Sequence, residues 1–288
     1  MMMVYAGRRV ASSCISFPLS KKLLMDCHSS SASKNCSRSG LMALAKQLRL
    51  YKAPPSYVDE RSEVVSTVGF QESMTSVVGG FQESTTKRAA VLICLFEGAA
   101  GEFRVILTKR SSNLSSHSGE VALPGGKAEE GDASDAETAT REAEEEIGLN
   151  PSLVNVLTCL EPFLSKHLFR VIPVIGILTD KNAFNPTPNV AEVEAVFDVP
   201  LEMFLKDEHR RSEEREWMGR NYLIHYFDYE VGENNKYLIW GLTAGILIRA
   251  ASIVYQRPPD FLEQLPNLKG PSSNSSSSNL DLNLKNAM

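Results

Sequence analysis

Arg141-Glu142-Ala143-Glu144-Glu145-Glu146-Ile147-Gly148-Leu149 is the stretch on which the reading of this chain turns. At about 100° per residue, Ala136, Ala139, Ala143 and Ile147 gather on one side of a helix with Thr140 at their edge. Glu142, Glu145 and Glu146 fill a neighbouring sector about 100° wide. One face packs and the next is a band of carboxylates. The helix is expected to start near Ser134, whose spacing to Glu137 is that of a capping box, and to stop at Gly148, the position of a C-terminal glycine cap. Acids at i, i+3 and i+4 repel by roughly a few tenths of a kcal/mol per pair, and glutamate is misplaced near a helix C-terminus. A hard divalent cation, Mg²⁺ or Mn²⁺, compensates, because it takes carboxylate oxygens and keeps waters for a phosphate ligand. Glu137 and Glu144 lie on another sector and read as a solvated face.

Upstream, residues 89–96 form an unbroken apolar run of strand length, expected in the middle of a sheet. Gly98 and Gly101 make a turn, and Phe103, Val105 and Leu107 alternate as a second strand. A serine-rich loop with His117 then leads to the Leu123-Pro124-Gly125-Gly126 turn. Downstream, strands are expected at 153–160, 168–178, 195–199, 222–229 and 238–240, and a last helix at 242–255, before Pro258-Pro259. This order is an α/β domain with mixed strands and few helices, not a regular βαβ alternation. The domain spans residues 89–262. Residues 41–88 hold a helix from Gly40 to Tyr51, stopped by Pro54-Pro55, and a linker in which Gly69-Phe70-Gln71-Glu72-Ser73 recurs at 80–84. Two such short copies are a local expansion, too brief for a solenoid.

Length and charge set the outer limits. With 288 residues and 43% hydrophobic content, the chain can bury one catalytic-size core with tails. Residues 1–58 carry nine Lys/Arg against the single acid Asp26, leaving a net charge of −13 in the rest, which argues against nucleic-acid binding. Residues 1–40, serine-rich and nearly free of acid, have the composition of an organellar transit peptide, expected to be cleaved. A mitochondrial address is expected, with plastid or cytosol as alternatives; no terminal tripeptide of the SKL type marks a peroxisomal one. No apolar run is long enough for a membrane span: the longest, 238–254, contains Arg249 and small residues and reads as a core helix. Cys94 and Cys159 lie in apolar stretches and suit reduced, buried thiols. The Ser/Asn-rich tail, 263–288, should be disordered. Within it, Leu280-Asp281-Leu282-Asn283-Leu284 resembles a plant repressor-recruiting pattern, though solvated tail is its plainer reading.

Gly126, followed at a distance by Arg141-Glu142-Ala143-x-Glu145-Glu146-x-Gly148-Leu149, resembles the Nudix box. The resemblance implies a Nudix fold, with a mixed β-sheet between α-helices, and a metal-dependent pyrophosphohydrolase. Carried over, Glu142, Glu145 and Glu146 would bind the metal, Arg141 would hold a catalytic glutamate by a salt bridge, and Gly125 and Gly126 would let backbone approach the site. Here fourteen residues separate Gly126 from Arg141, one more than in the generic box, so its mid-box glutamate falls on Asp132 or Ala133.

The segment from Ile106 through Thr108, Lys109, Arg110, Ser111 and Gly119 to Leu123-Pro124-Gly125-Gly126 looks like the signature of the coenzyme A diphosphatase branch. Ser115 stands where that signature has a second arginine. The implied small-molecule substrates are coenzyme A and acyl-CoA, with Lys109 and Arg110 meeting phosphate charge; a homodimer is compatible with this branch. The alternatives are a Nudix hydrolase of another nucleoside diphosphate, such as ADP-ribose or NADH, and a catalytically silent regulatory binding protein. Loop candidates for the general base are Glu192 and Glu194, whose plainer reading is edge-strand charge.

Overall fold

The computed structural model describes residues 30–53, 57–58, 64–65, 87–167, 169–217, 220–232 and 235–264. Most of the basic leader, the duplicated linker segment and the tail motif at 280–284 lie outside the described residues. Helix α1 spans Ser30–Arg49 and so begins ten residues earlier than expected. The short strands β1 (Tyr57–Val58) and β2 (Val64–Val65) pair antiparallel.

The main sheet is built from β3 (Arg88–Glu97), β4 (Phe103–Arg110), β5 (Val121–Ala122), β6 (Gly125–Lys127), β7 (Val154–Cys159), β8 (Phe163–Leu164), β9 (Arg170–Leu178) and β10 (Val193–Pro200). Its order is β10-β4-β3-β9-β7, with β5 on β4, β6 on β3 and β8 on β9. Only β3 and β9 pair in parallel; the other partners are antiparallel, so the sheet is mixed. Strand parity divides the core. Ile93 and Leu95 of β3 face one cluster, while Ala90, Leu92, Cys94 and Phe96 face the other. The first cluster takes in Leu44 and Leu48 of α1 and Leu247, Ile248 and Ala251 of α3 (Gly241–Tyr255). The second takes in Ala139, Ala143 and Ile147 of α2 (Asp135–Ile147). Burial on both faces explains why β3 reads as a continuous apolar run. The result is a mixed β-sheet between α-helices.

A second sheet, β11 (Arg210–Trp217), β12 (Arg220–Val231) and β13 (Asn235–Trp240), docks Phe227 and Ile239 onto the first cluster. Strand β11 carries charge at nearly every position and has no apolar alternation. It is an edge strand whose backbone pairing is supplied by β12, an arrangement that composition does not announce. No helix among the described residues is long and apolar enough to cross a membrane. Cys94 is buried as expected, and burial pushes its thiol up to about 12, whereas Cys159, at the end of the sheet's β7 edge, is exposed.

Candidate active site

Helix α2 is fixed at both ends by its own sequence. Ser134 Oγ accepts from the Glu137 N–H at 3.2 Å, while the Glu137 carboxylate reaches one residue further back than a full capping box requires, accepting from the Ala133 N–H at 2.8 Å. At the other end Gly148 adopts φ 70°, and its N–H donates to Glu144 O at 2.9 Å. Two further carbonyls are capped from outside: Thr187 N–H donates to Ile147 O at 3.0 Å and Asn189 N–H to Glu146 O at 2.9 Å. Any side chain at Gly148 would run into Thr187. The segment leading to Glu192 is thereby fastened to the end of the glutamate-bearing helix.

The three glutamates differ in depth. Glu146 is buried, Glu142 is half-buried, and the Glu145 side chain is 60% exposed. Glu146 Oε2 accepts from the Gly125 N–H at 3.1 Å, and the Glu142 carboxylate lies against Gly126, where any Cβ would strike it. Gly125 itself has φ 152° and passes so close to Ala90 and Val91 of β3 that a side chain has no room. The turn therefore brings Glu142 and Glu146 to the same glycines. Glu145 turns instead toward Arg141, whose Nη1 lies 3.3 Å from it.

Arg141 is the hub of the outer shell. It donates through Nε to Asp132 Oδ1 at 3.0 Å, and through Nη2 to Asp132 Oδ2 at 3.1 Å, Glu142 Oε1 at 3.2 Å and the Lys127 carbonyl at 3.1 Å. Asp132 also accepts from Thr138 Oγ1 and the Glu129 N–H. Hydrogen bonding to Arg141 holds the Asp132 carboxyl well below the usual carboxylate range. Residue counting alone does not separate Asp132 from Ala133 as the mid-box position. The longer loop before α2 hides it, and only the paired geometry with Arg141 reveals it.

Arg110 at the end of β4 lies with Nη1 3.6 Å from Glu146 Oε1, and its buried Nε–H has no acceptor among the described residues. Lys109, by contrast, is committed: Nζ lies 2.6 Å from Glu194, which also accepts from Ser112 Oγ and is held below the ordinary range by that lysine. Glu192 is fixed through its backbone, its carbonyl accepting from the Ser111 N–H at 2.8 Å, and its charge is felt at Glu146. Of the two loop acids, then, Glu194 is ion-paired, while Glu192 is anchored by its main chain between Ser111 and Asn189. His117 and His167 meet edge-on, with ring centroids 5.4 Å apart.

Burial pushes the Glu146 carboxyl up to about 7, against the Gly125 N–H and the Arg110 charge, which lower it, and with smaller repulsions from Glu142 and Glu192. Burial also raises Glu142, with Glu145 and Glu129 adding to it against Arg141. Among the described residues no three His, Cys, Asp or Glu side chains close around a point by themselves. Two under-neutralised carboxylates beside a side-chain-free turn nevertheless fit a hard divalent ion, which is commonly held by one or two carboxylates and completed by water and substrate phosphate.

A family model described as the NUDIX domain matches residues 86–220. The chain belongs to the Nudix family and is a hydrolase of phosphorus-containing anhydrides, a family that generally uses divalent metal ions. It is similar to Nudix hydrolase 15, mitochondrial, of Arabidopsis thaliana, 73% identical over 209 residues that cover 73% of each chain. Nudix hydrolase 22, chloroplastic, of the same plant is 65% identical over 246 residues, 82% of this chain and 80% of the relative. A more distant relative, peroxisomal coenzyme A diphosphatase NUDT7 of Mus musculus, is 36% identical over 182 residues, 63% of this chain and 76% of its own.

Proposed function

We propose that the chain hydrolyses the diphosphate of coenzyme A and acyl-CoA esters, releasing 3′,5′-ADP and 4′-phosphopantetheine or its acyl form. The observation that carries this reading is the unit from Thr108 to Gly126. Its signature residues Thr108, Arg110, Ser111 and Gly119 stand in register, β5 folds back on β4 with Thr108 opposite Ala122, and the unit ends in the glycine turn beneath Glu142 and Glu146. The mouse relative named as a coenzyme A diphosphatase supports it.

In this reading Glu142 and Glu146 hold the ion and Glu145 completes the acidic rim. The chemistry a bound Mg²⁺ or Mn²⁺ supplies is neutralisation of the diphosphate and a lower pKa for a water. Glu192 takes the proton from that water at its carboxylate, and Arg110, whose buried Nε–H has no acceptor among the described residues, meets a phosphate oxygen. Lys109 adds positive potential from the rim while paired with Glu194. Arg141 is a positioning residue for Glu142, and Gly125 and Gly126 leave room for the reacting phosphate. A mitochondrial address, with plastid as the alternative, is supported by the basic leader and by the organelles named for the two Arabidopsis relatives. The test is to incubate the protein and Mg²⁺ with CoA, acyl-CoAs, ADP-ribose and NADH and identify products by mass. Preferred release of 3′,5′-ADP from CoA is expected, and equal turnover of the whole panel would overturn the substrate assignment.

A further inference from the structure

Beside the catalytic turn lies a group of cations that the reaction centre does not use. Lys87 Nζ and Lys127 Nζ lie 5.6 and 5.7 Å from the centroid of the same ring, that of Phe169. Backbone pairing holds the three together. Lys127 lies opposite Ala89 on β3, and the carbonyl of Lys87 accepts from the Arg170 N–H, one residue after Phe169, at 2.9 Å. Both lysines are exposed, and among the described residues neither has a carboxylate partner. A cation–π contact contributes only about 0.5–1 kcal/mol at an exposed site, so the ring does not neutralise either ammonium group. In a body of net charge −13, a pair of unneutralised lysines at one spot is a place where an anion is wanted.

Position identifies the anion. Lys127 directly follows Gly126, its carbonyl is bound by Arg141, and the strand pleat sends its side chain to the opposite side of the turn from Glu142. The backbone of Gly125 and Gly126 thus separates the lysine side chain from the glutamates, and a ligand bound at the glutamates reaches Lys127 past that turn. Two residues before Phe169 stands His167, which meets His117 of the loop 111–120 edge-on. That loop contains Ser115, exposed, at the position where the coenzyme A signature has an arginine.

Resting on the coenzyme A reading, we propose that Lys87 and Lys127, held by Phe169, form a second phosphate subsite that receives the phosphate monoester on the ribose of the substrate's nucleotide half, in place of the arginine that Ser115 replaces. The subsite discriminates a nucleotide with an additional phosphate monoester from one with the diphosphate alone. Two point charges suit a phosphate dianion, with three donors each, although they lack the planar fork of arginine.

The test uses the full chain and ligands that do not depend on turnover. Affinities for 3′,5′-ADP and for AMP are measured by calorimetry at fixed ionic strength for the wild type, for Lys87→Met with Lys127→Met, and for the two Lys→Arg replacements. Methionine keeps an apolar stem over Phe169, and an unchanged melting temperature verifies folding. The wild type should prefer the bisphosphate by about tenfold or more, the double Met variant should lose that preference, and the Arg variants should restore it. CoA and dephospho-CoA kinetics should show the same change in preference, as a ratio of kcat/KM. A preference that survives in the Met variant, or equal weakening of both nucleotides, overturns the subsite. Wild-type protein that keeps the bisphosphate preference but leaves CoA intact overturns the coenzyme A reading and leaves the subsite standing.

Discussion

Glu146 and Glu161 are both buried carboxylates, 3% and 4% exposed, yet their surroundings are opposite in kind. Glu161 accepts from Tyr51 Oη at 2.7 Å and from Arg249 Nε, so that the end of α1, the main sheet and α3 are tied through one neutralised charge. Burial and that hydrogen bond push the Tyr51 hydroxyl up to about 12, keeping it a donor at every physiological pH. Glu146 has one backbone donor, a guanidinium at 3.6 Å, and two acids near enough to repel it. A buried carboxylate whose charge is matched fastens elements together. One left short of positive charge destabilises the fold whenever it is ionised.

The largest effect that separates the two is catalytic. Glu146→Gln should lower hydrolysis by about three orders of magnitude, since several kcal/mol of charge stabilisation depend on the ion. Glu161→Ala should leave kcat per folded molecule within about twofold; comparable loss in both variants would erase the distinction. On stability the order reverses. Glu161→Ala strands Arg249 and should cost about 3 kcal/mol in urea unfolding, as breaking a buried pair does.

Acidity sharpens the same contrast. The folded-state pKa of Glu146, about 7, lies above its unfolded value, so its contribution is fully present below the unfolded pKa of about 4.3 and is lost as pH rises through 7. Metal-free protein in EDTA should therefore lose on the order of a few kcal/mol between pH 4 and pH 8 from this group, and Glu146→Gln should flatten that slope. Added Mg²⁺ should raise the melting temperature of the wild type at pH 8 but not that of Glu146→Gln. The smallest effect concerns the outer shell. Arg141→Lys cannot span Asp132, Glu142 and Glu145 at once and should reduce kcat by about 10- to 100-fold with little change in melting temperature. A variant as active as the wild type would deny Arg141 its positioning role.

Helix α2 was legible because its punctuation is local: Ser134 and Gly148 stand at the ends, and alanines and Ile147 mark the buried side. The wheel also contains the ranking of its glutamates. Measured from the middle of the apolar side, Glu146 lies nearest, Glu142 next and Glu145 almost opposite, which is the order of their burial; spacing alone treats the three as equals. What stayed hidden depends on partners distant in sequence. The pairing of Lys109 with Glu194, 85 residues away, is invisible in the local sequence of either. Strand β11 has no pattern of its own and is a strand because β12 pairs with it. The first turns of α1 are rich in serine, a composition shared with a targeting leader, and an apolar helical pattern begins only at Gly40.

The segment from Thr187 to Glu192 meets the helix end through main-chain groups, and Val190 at its tip is 82% exposed. Its length is therefore constrained while much of its lettering is free. Substitutions at the tip would leave the carboxylates where they are, whereas inserting or deleting a single residue would uncap the helix and shift Glu192 in one stroke.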